Sequence, residues 1–180
     1  MTTDDSPTPP AFAALEAWAG TGRVVRADES GLADWNLPKR HKAMLVTSGV
    51  PLLDGVVDAV SFTPQSGMYR LAAYGDDDTS IFAAQQDTGR VLELAASGDT
   101  RLVNSSVAHW LCSLHLVGAR LSASTAIRCW DEDDAKEQQA IAELAELLDR
   151  IARLDPPAYG DGDGDHRTCF WPAVLDRWLY

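Results

Sequence analysis

The sequence predicts a mixed fold, an antiparallel meander with amphipathic helices before and after it in the chain. Three observations carry that reading. Segments rich in β-branched and aromatic residues follow one another between Val56 and Leu94, separated by a few turn-forming residues. Apolar residues then recur at helical spacing from Val107 to Gly118. The same spacing returns between Ile141 and Ile151.

Each element has a local reason. Residues 1–10, MTTDDSPTPP, are acidic and proline-rich and read as a disordered leader to one domain over 11–180. Ala11 to Ala19 reads as a short helix, with Pro9 and Pro10 at its start and Gly20 past its end, burying Phe12, Leu15 and Trp18. Arg23 to Ala27 suits a first strand, and Gly31 to Asn36 a loop. Pro38 starts a helix that ends near Thr47, with Gly49 as its stop. The basic start of that helix, Lys39 to Lys42, opposes the helix dipole, and an adjacent acidic loop would offset the cost.

Strand candidates are Val56 to Thr63, Met68 to Tyr74, Ser80 to Ala84 and Arg90 to Leu94, and three consecutive strands joined by short turns read as an antiparallel meander. Gly89 supplies the positive φ of a tight turn. Asn104 or Ser105 caps the next helix, which turns Val107, Trp110, Leu111, Leu114, Val117 and Gly118 inward and His109, Cys112, Ser113 and Leu116 outward. Ala119 to Trp130 fits either an extension of this helix or a strand. A long helix over Asp134 to Leu154 has a seam of Ile141, Leu144, Leu148 and Ile151. Asp131 to Asp134 sit at its positive end, and Glu146–Arg150 and Asp149–Arg153 are paired one turn apart. Asp155-Pro156-Pro157 stops it, Gly160 to Asp165 form an acidic loop, and Phe170-Trp171-Pro172 opens a last short helix.

Composition excludes several functions. The net charge of −12 repels nucleic-acid phosphates and anionic membranes and favours basic partners. No run approaches the ~20 apolar residues of a membrane span, and the start lacks a secretory signal, so a cytoplasmic protein is expected. Three widely spaced cysteines read as thiols of a reducing compartment.

Nothing in the sequence assembles into catalytic or metal chemistry. Asp161, Asp163 and Asp165 resemble the start of a calcium loop, but His166 stands where glycine is needed and Pro172 where a bidentate Glu is needed. His109, Cys112 and His115 do not converge on one helix face around a tetrahedral metal. There is no Gly-x-Ser-x-Gly elbow and no phosphate loop. Carboxylates come in runs, whereas catalytic pairs sit singly in apolar clefts. No cofactor, metal or catalytic residue is expected, and the chain reads as a non-enzyme. A hydrolase built on His109 or His115 would need a carboxylate beside them.

Three local patterns carry a family resemblance. Leu37-Pro38 leads a helix closing on Gly49-Val50-Pro51. Tyr74-Gly75-Asp76 precedes Ile81-Phe82, Asp87-Thr88-Gly89-Arg90-Val91, Val103-Asn104-Ser105-Ser106 and Trp110-Leu111. Leu154-Asp155-Pro156-Pro157-Ala158 precedes Phe170-Trp171-Pro172. In this order they resemble the SUKH superfamily of immunity proteins, most closely its fourth subfamily. The resemblance implies an α+β fold, a central and mostly antiparallel sheet wrapped by helices. It also implies the stoichiometric neutralisation of a polymorphic toxin's C-terminal domain, a nuclease or nucleic-acid deaminase. The alternative is a housekeeping regulatory or scaffold module of the same fold. For an inhibitor, the expected partner-binding residues are Asp76, Asp77 and Asp78, then Asp131, Glu132, Asp133 and Asp134. Trp35 is either an apolar anchor for the partner or part of the core.

Overall fold

A computed structural model describes residues 6–76, 79–160 and 168–178. Helix α1 (Phe12–Ala19) buries Leu15 and half-buries Phe12 and Trp18. Strand β1 (Val24–Val25) pairs antiparallel with β2 (Val50–Pro51). Between them lie a 3-10 turn at Ser30–Leu32, within the segment expected as loop, and helix α2 (Lys39–Thr47). The basic start of α2 is relieved by backbone carbonyls: Lys42 Nζ donates to Ala33 O at 3.1 Å and Trp35 O at 3.0 Å.

Five strands then form one antiparallel meander in chain order: β3 (Ala59–Gln65), β4 (Met68–Tyr74), β5 (Ser80–Gln85), β6 (Val91–Ala95) and β7 (Thr100–Asn104). Strand β3 starts later than Val56, because Leu53 and Val57 form an isolated bridge of their own. Strand β7 was not expected. Its alternation is hidden because Arg101 points inward, where its guanidinium meets the buried Glu93 carboxylate at 2.5 Å and lies 5.2 Å over the Phe170 ring.

Helices cover the face that carries Phe82. On it pack α3 (Val107–Ala123) and α7 (Phe170–Asp176), and α5 (Asp134–Leu154) packs on both of these helices, flanked by α4 (Thr125–Arg128) and α6 (Pro156–Tyr159). Phe82 lies 5.8 Å from the Trp110 ring on α3 and 5.4 Å, edge-on, from Phe170 on α7. The α3 cap is Ser106, whose Oγ accepts from His109 N, one or two residues later than expected. Ala119 to Ala123 extend α3, and no strand forms there. Ser113 is a correction: it is fully buried, its hydroxyl accepting from Asn104 Nδ2 at 3.2 Å. The seam of α5 is also corrected. Ala140, Leu144, Leu147 and Ile151 are buried, while Ile141 is 44% exposed. Both stripes have helical spacing, and packing selects the one that places small Ala140 inward. Glu146 does not pair with Arg150 but reaches Arg120 on α3 at 3.4 Å, and Asp149–Arg153 forms no ion pair.

The second and third of the patterns named above meet in one buried network. Asp155, 1% exposed, accepts from Asn104 Nδ2 at 2.8 Å, Ser105 N at 2.8 Å and Ser105 Oγ at 2.6 Å. Asn104 Oδ1 in turn accepts from Trp171 Nε1 at 3.1 Å. A buried carboxylate is tolerated when its lone pairs are engaged in this way. The network ties β7 and the start of α3 to the end of α5 and to α7.

Candidate partner-binding surface

The acidic β4–β5 turn does not stand alone. The loop after β2 carries Asp54 and Asp58. Asp58 accepts from Gly55 N at 3.1 Å through Oδ1 and from Gly75 N at 2.8 Å through Oδ2. One carboxylate therefore clamps the 52–58 loop to the turn that carries Asp76. Gly75 adopts φ 80°, open to glycine and strained for most other residues. The β6–β7 turn is stitched to the same place, since Ala96 N donates to Thr79 O at 2.9 Å. This brings Asp99 to the same end of the sheet, its carboxylate held by Ser97 Oγ at 2.7 Å.

Asp54, Asp58, Asp76 and Asp99 are all exposed. Among the described residues only Asp54 has a cation in ion-pair range, Arg23 at 2.5 Å. Of the acidic run, Asp76 is placed here, while Asp77 and Asp78 lie outside the described residues.

The second acidic run is partly occupied within the fold. Asp133 is the N-cap of α5, accepting from Lys136 N at 2.8 Å. Glu132 pairs with Lys136 Nζ, which holds the Glu132 carboxyl below its ordinary pKa. Asp131 and Asp134 are exposed. The two acidic runs are thus unequal: the second already spends half of its members on its own helix.

Trp35 belongs to the core. It is 5% exposed and stacks on Tyr69, ring centroids 4.3 Å apart and planes 10° apart. Tyr69 OH then accepts from Asn36 N at 2.6 Å. Of the two roles expected for Trp35, the geometry gives the structural one.

The polar residues that suggest chemistry each have separate partners. His115 Nδ1 accepts from Trp18 Nε1 at 3.0 Å, and burial lowers its pKa. His109 Nδ1 lies 2.8 Å from Ser106 Oγ. Cys112 Sγ donates to Thr8 O at 3.4 Å, and burial pushes its pKa up to about 11, far from a reactive thiolate. Neither histidine has a carboxylate partner among the described residues, and no cluster there could hold a metal. The Asp161, Asp163, Asp165 and His166 stretch lies outside the described residues. No helix among the described residues is long and apolar enough to cross a membrane.

Sequence reasoning missed Asp54, Asp58 and Asp99. Single aspartates in separate turns carry no run to mark them, and only the fold gathers them. Two shallow grooves beside them were also missed. One is lined by Trp18, Leu52 and Trp178, the other by Tyr74, Arg177 and Trp178.

A family model described as SUKH-4 immunity protein matches residues 10–177. No curated protein matches the chain, and no solved structure matches it.

Proposed function

We propose, from the premise that this chain belongs to the SUKH-4 immunity protein family, that it neutralises a cognate toxin domain by binding it one to one through the acidic end of its sheet. The observation that carries the reading is the gathering of Asp54, Asp58 and Asp99 around Asp76, three of the four without a cation in range among the described residues, on a chain of net charge −12. A carboxylate array of this kind fits a basic surface, and nucleases and nucleic-acid deaminases need such a surface to hold phosphates. The toxin is therefore of that class, and inhibition is occlusion with no bond made or broken by the inhibitor. The second acidic run, Asp131 to Asp134, contributes to steering more than to contact, because Asp133 and Glu132 are engaged by α5.

The test is co-expression with the C-terminal domain encoded by the neighbouring gene. Growth rescue together with co-purification is expected. Rescue should weaken when Asp54, Asp76 and Asp99 are changed together to Ser, with melting temperature unchanged. A triple variant that protects as well as the wild type would remove the acidic end from the mechanism. Co-purification without rescue would instead favour a scaffold module.

A further inference from the structure

The acidic end has an aromatic centre. Trp178, after α7, lines both grooves described above, which make a two-part depression of about 270 Å³ and 230 Å³ sharing that one side chain. Its walls are Trp18, Leu52 and Tyr74, all half-buried, with Gly118 as floor beneath Trp18. Two arginines are held in place at its margins: Arg23 by Asp54, and Arg177 with its guanidinium 5.0 Å over the Tyr74 ring. Tyr74 leads directly into the Gly75-Asp76 turn, and Asp58 holds that turn in place.

We infer that this depression is the energetic centre of the docking surface, and that it receives an apolar side chain of the toxin domain flanked by Lys or Arg. The inference rests on the immunity reading and specifies where within that surface the affinity resides. Interfaces draw most of their binding energy from a few Trp, Tyr and Arg residues in desolvated pockets ringed by polar groups. Here Trp18 lines one groove, Tyr74 and Arg177 line the other, and Trp178 lines both, with Asp54 on the wall of the first and the Asp58 carboxylate on Gly55 N at the edge of the second. Charge complementarity selects the occupant: a basic rim on the partner meets Asp58 and Asp76, which have no cation in ion-pair range among the described residues, while its apolar tip covers Trp178. Rim charges set the encounter rate, and the buried aromatic contact sets the lifetime of the complex.

The experiment uses the full chain and the C-terminal domain encoded by the neighbouring gene. Indole N–H resonances of the wild-type protein are assigned by single Trp→Phe variants and followed on titration with that domain. The Trp178 and Trp18 signals should shift, while those of buried Trp110 and Trp171 stay. In parallel, Trp178→Ala should weaken binding about 30-fold or more, mostly through faster dissociation. Asp76→Ser should instead slow association a few-fold. If the wild type binds and protects while the Trp178 and Trp18 signals do not move, the inference is wrong and the immunity reading stands. If the wild type neither binds nor protects, both fall. Shifts of the same two signals on concentrating the protein alone would give the depression to a second copy of this chain and overturn the inference. Because the resonances are read on the wild type, a Trp178→Ala variant that failed to fold would not spare the inference from the test.

Discussion

His41 is fully buried, and neither ring nitrogen has a hydrogen-bond partner among the described residues. Gly89 makes room for it: at φ 71° a side chain there is strained, and its Cβ would overlap the imidazole. Burial first, then the charges of Arg40 and His109, push the His41 pKa down to about 4. Below the ordinary value of 6.5 the unfolded chain takes up a proton that the folded chain refuses. Stability present above pH 6.5 is therefore lost as pH falls towards 4, by roughly 2 kcal/mol between pH 7 and pH 5. Urea unfolding at both values should show the wild type losing about 2 kcal/mol more than His41→Leu, which keeps the contribution of His115. Gly118 offers a second single-residue test. Trp18 lies against its Cα, so Gly118→Ala should displace the ring, cost about 1–3 kcal/mol and alter the depression beside it. The Asp-Thr-Gly turn was legible in the sequence, but the histidine it accommodates was not, because the two lie far apart in the chain and nothing local links them.

Helices and strands were readable where one face alone decides their pattern. The α3 stripe from Val107 to Gly118 is buried as expected, since a central helix has no choice of face. The α5 seam was offset because two stripes share Leu144 and Ile151, and only the neighbouring helices choose between them. Strand β7 escaped because an inward arginine broke its alternation. At this scale Asp155 matters most. Replacing it by Ala leaves the Ser105 N–H and hydroxyl without this acceptor and Asn104 Nδ2 with only Ser113 Oγ. A loss on the order of 3 kcal/mol is expected, with Asp155→Asn milder because one oxygen remains as acceptor. Thermal unfolding of both variants measures it. Asp133→Ala removes the α5 cap and should cost about 1 kcal/mol in the same assay, with toxin affinity little changed. A large loss of affinity there would return the second acidic run to the contact surface.

Across the whole molecule, charge and topology act together. The sequence announced an acidic protein and its acidic runs, but not the isolated aspartates that join one of them. The convergence of four aspartates from three loops depended on the meander returning the β4–β5 and β6–β7 turns to the same end of the sheet. Stopped-flow association with the toxin domain should slow roughly tenfold from low to high salt, with dissociation much less affected. An association rate indifferent to salt would exclude long-range steering. The sheet borders bear on how recognition can evolve. Strand β3 is the outermost strand on one side, and it contains Pro64, which has no N–H to offer, and a register irregularity between Val60 and Thr63. On the other side β7 is in contact with α3, α6 and α7. Backbone pairing with an incoming chain is disfavoured at the β3 margin. Selectivity is thereby left to side chains on turns that the hydrophobic interior does not depend on. A lineage can exchange those few positions and meet a new adversary without renegotiating its architecture.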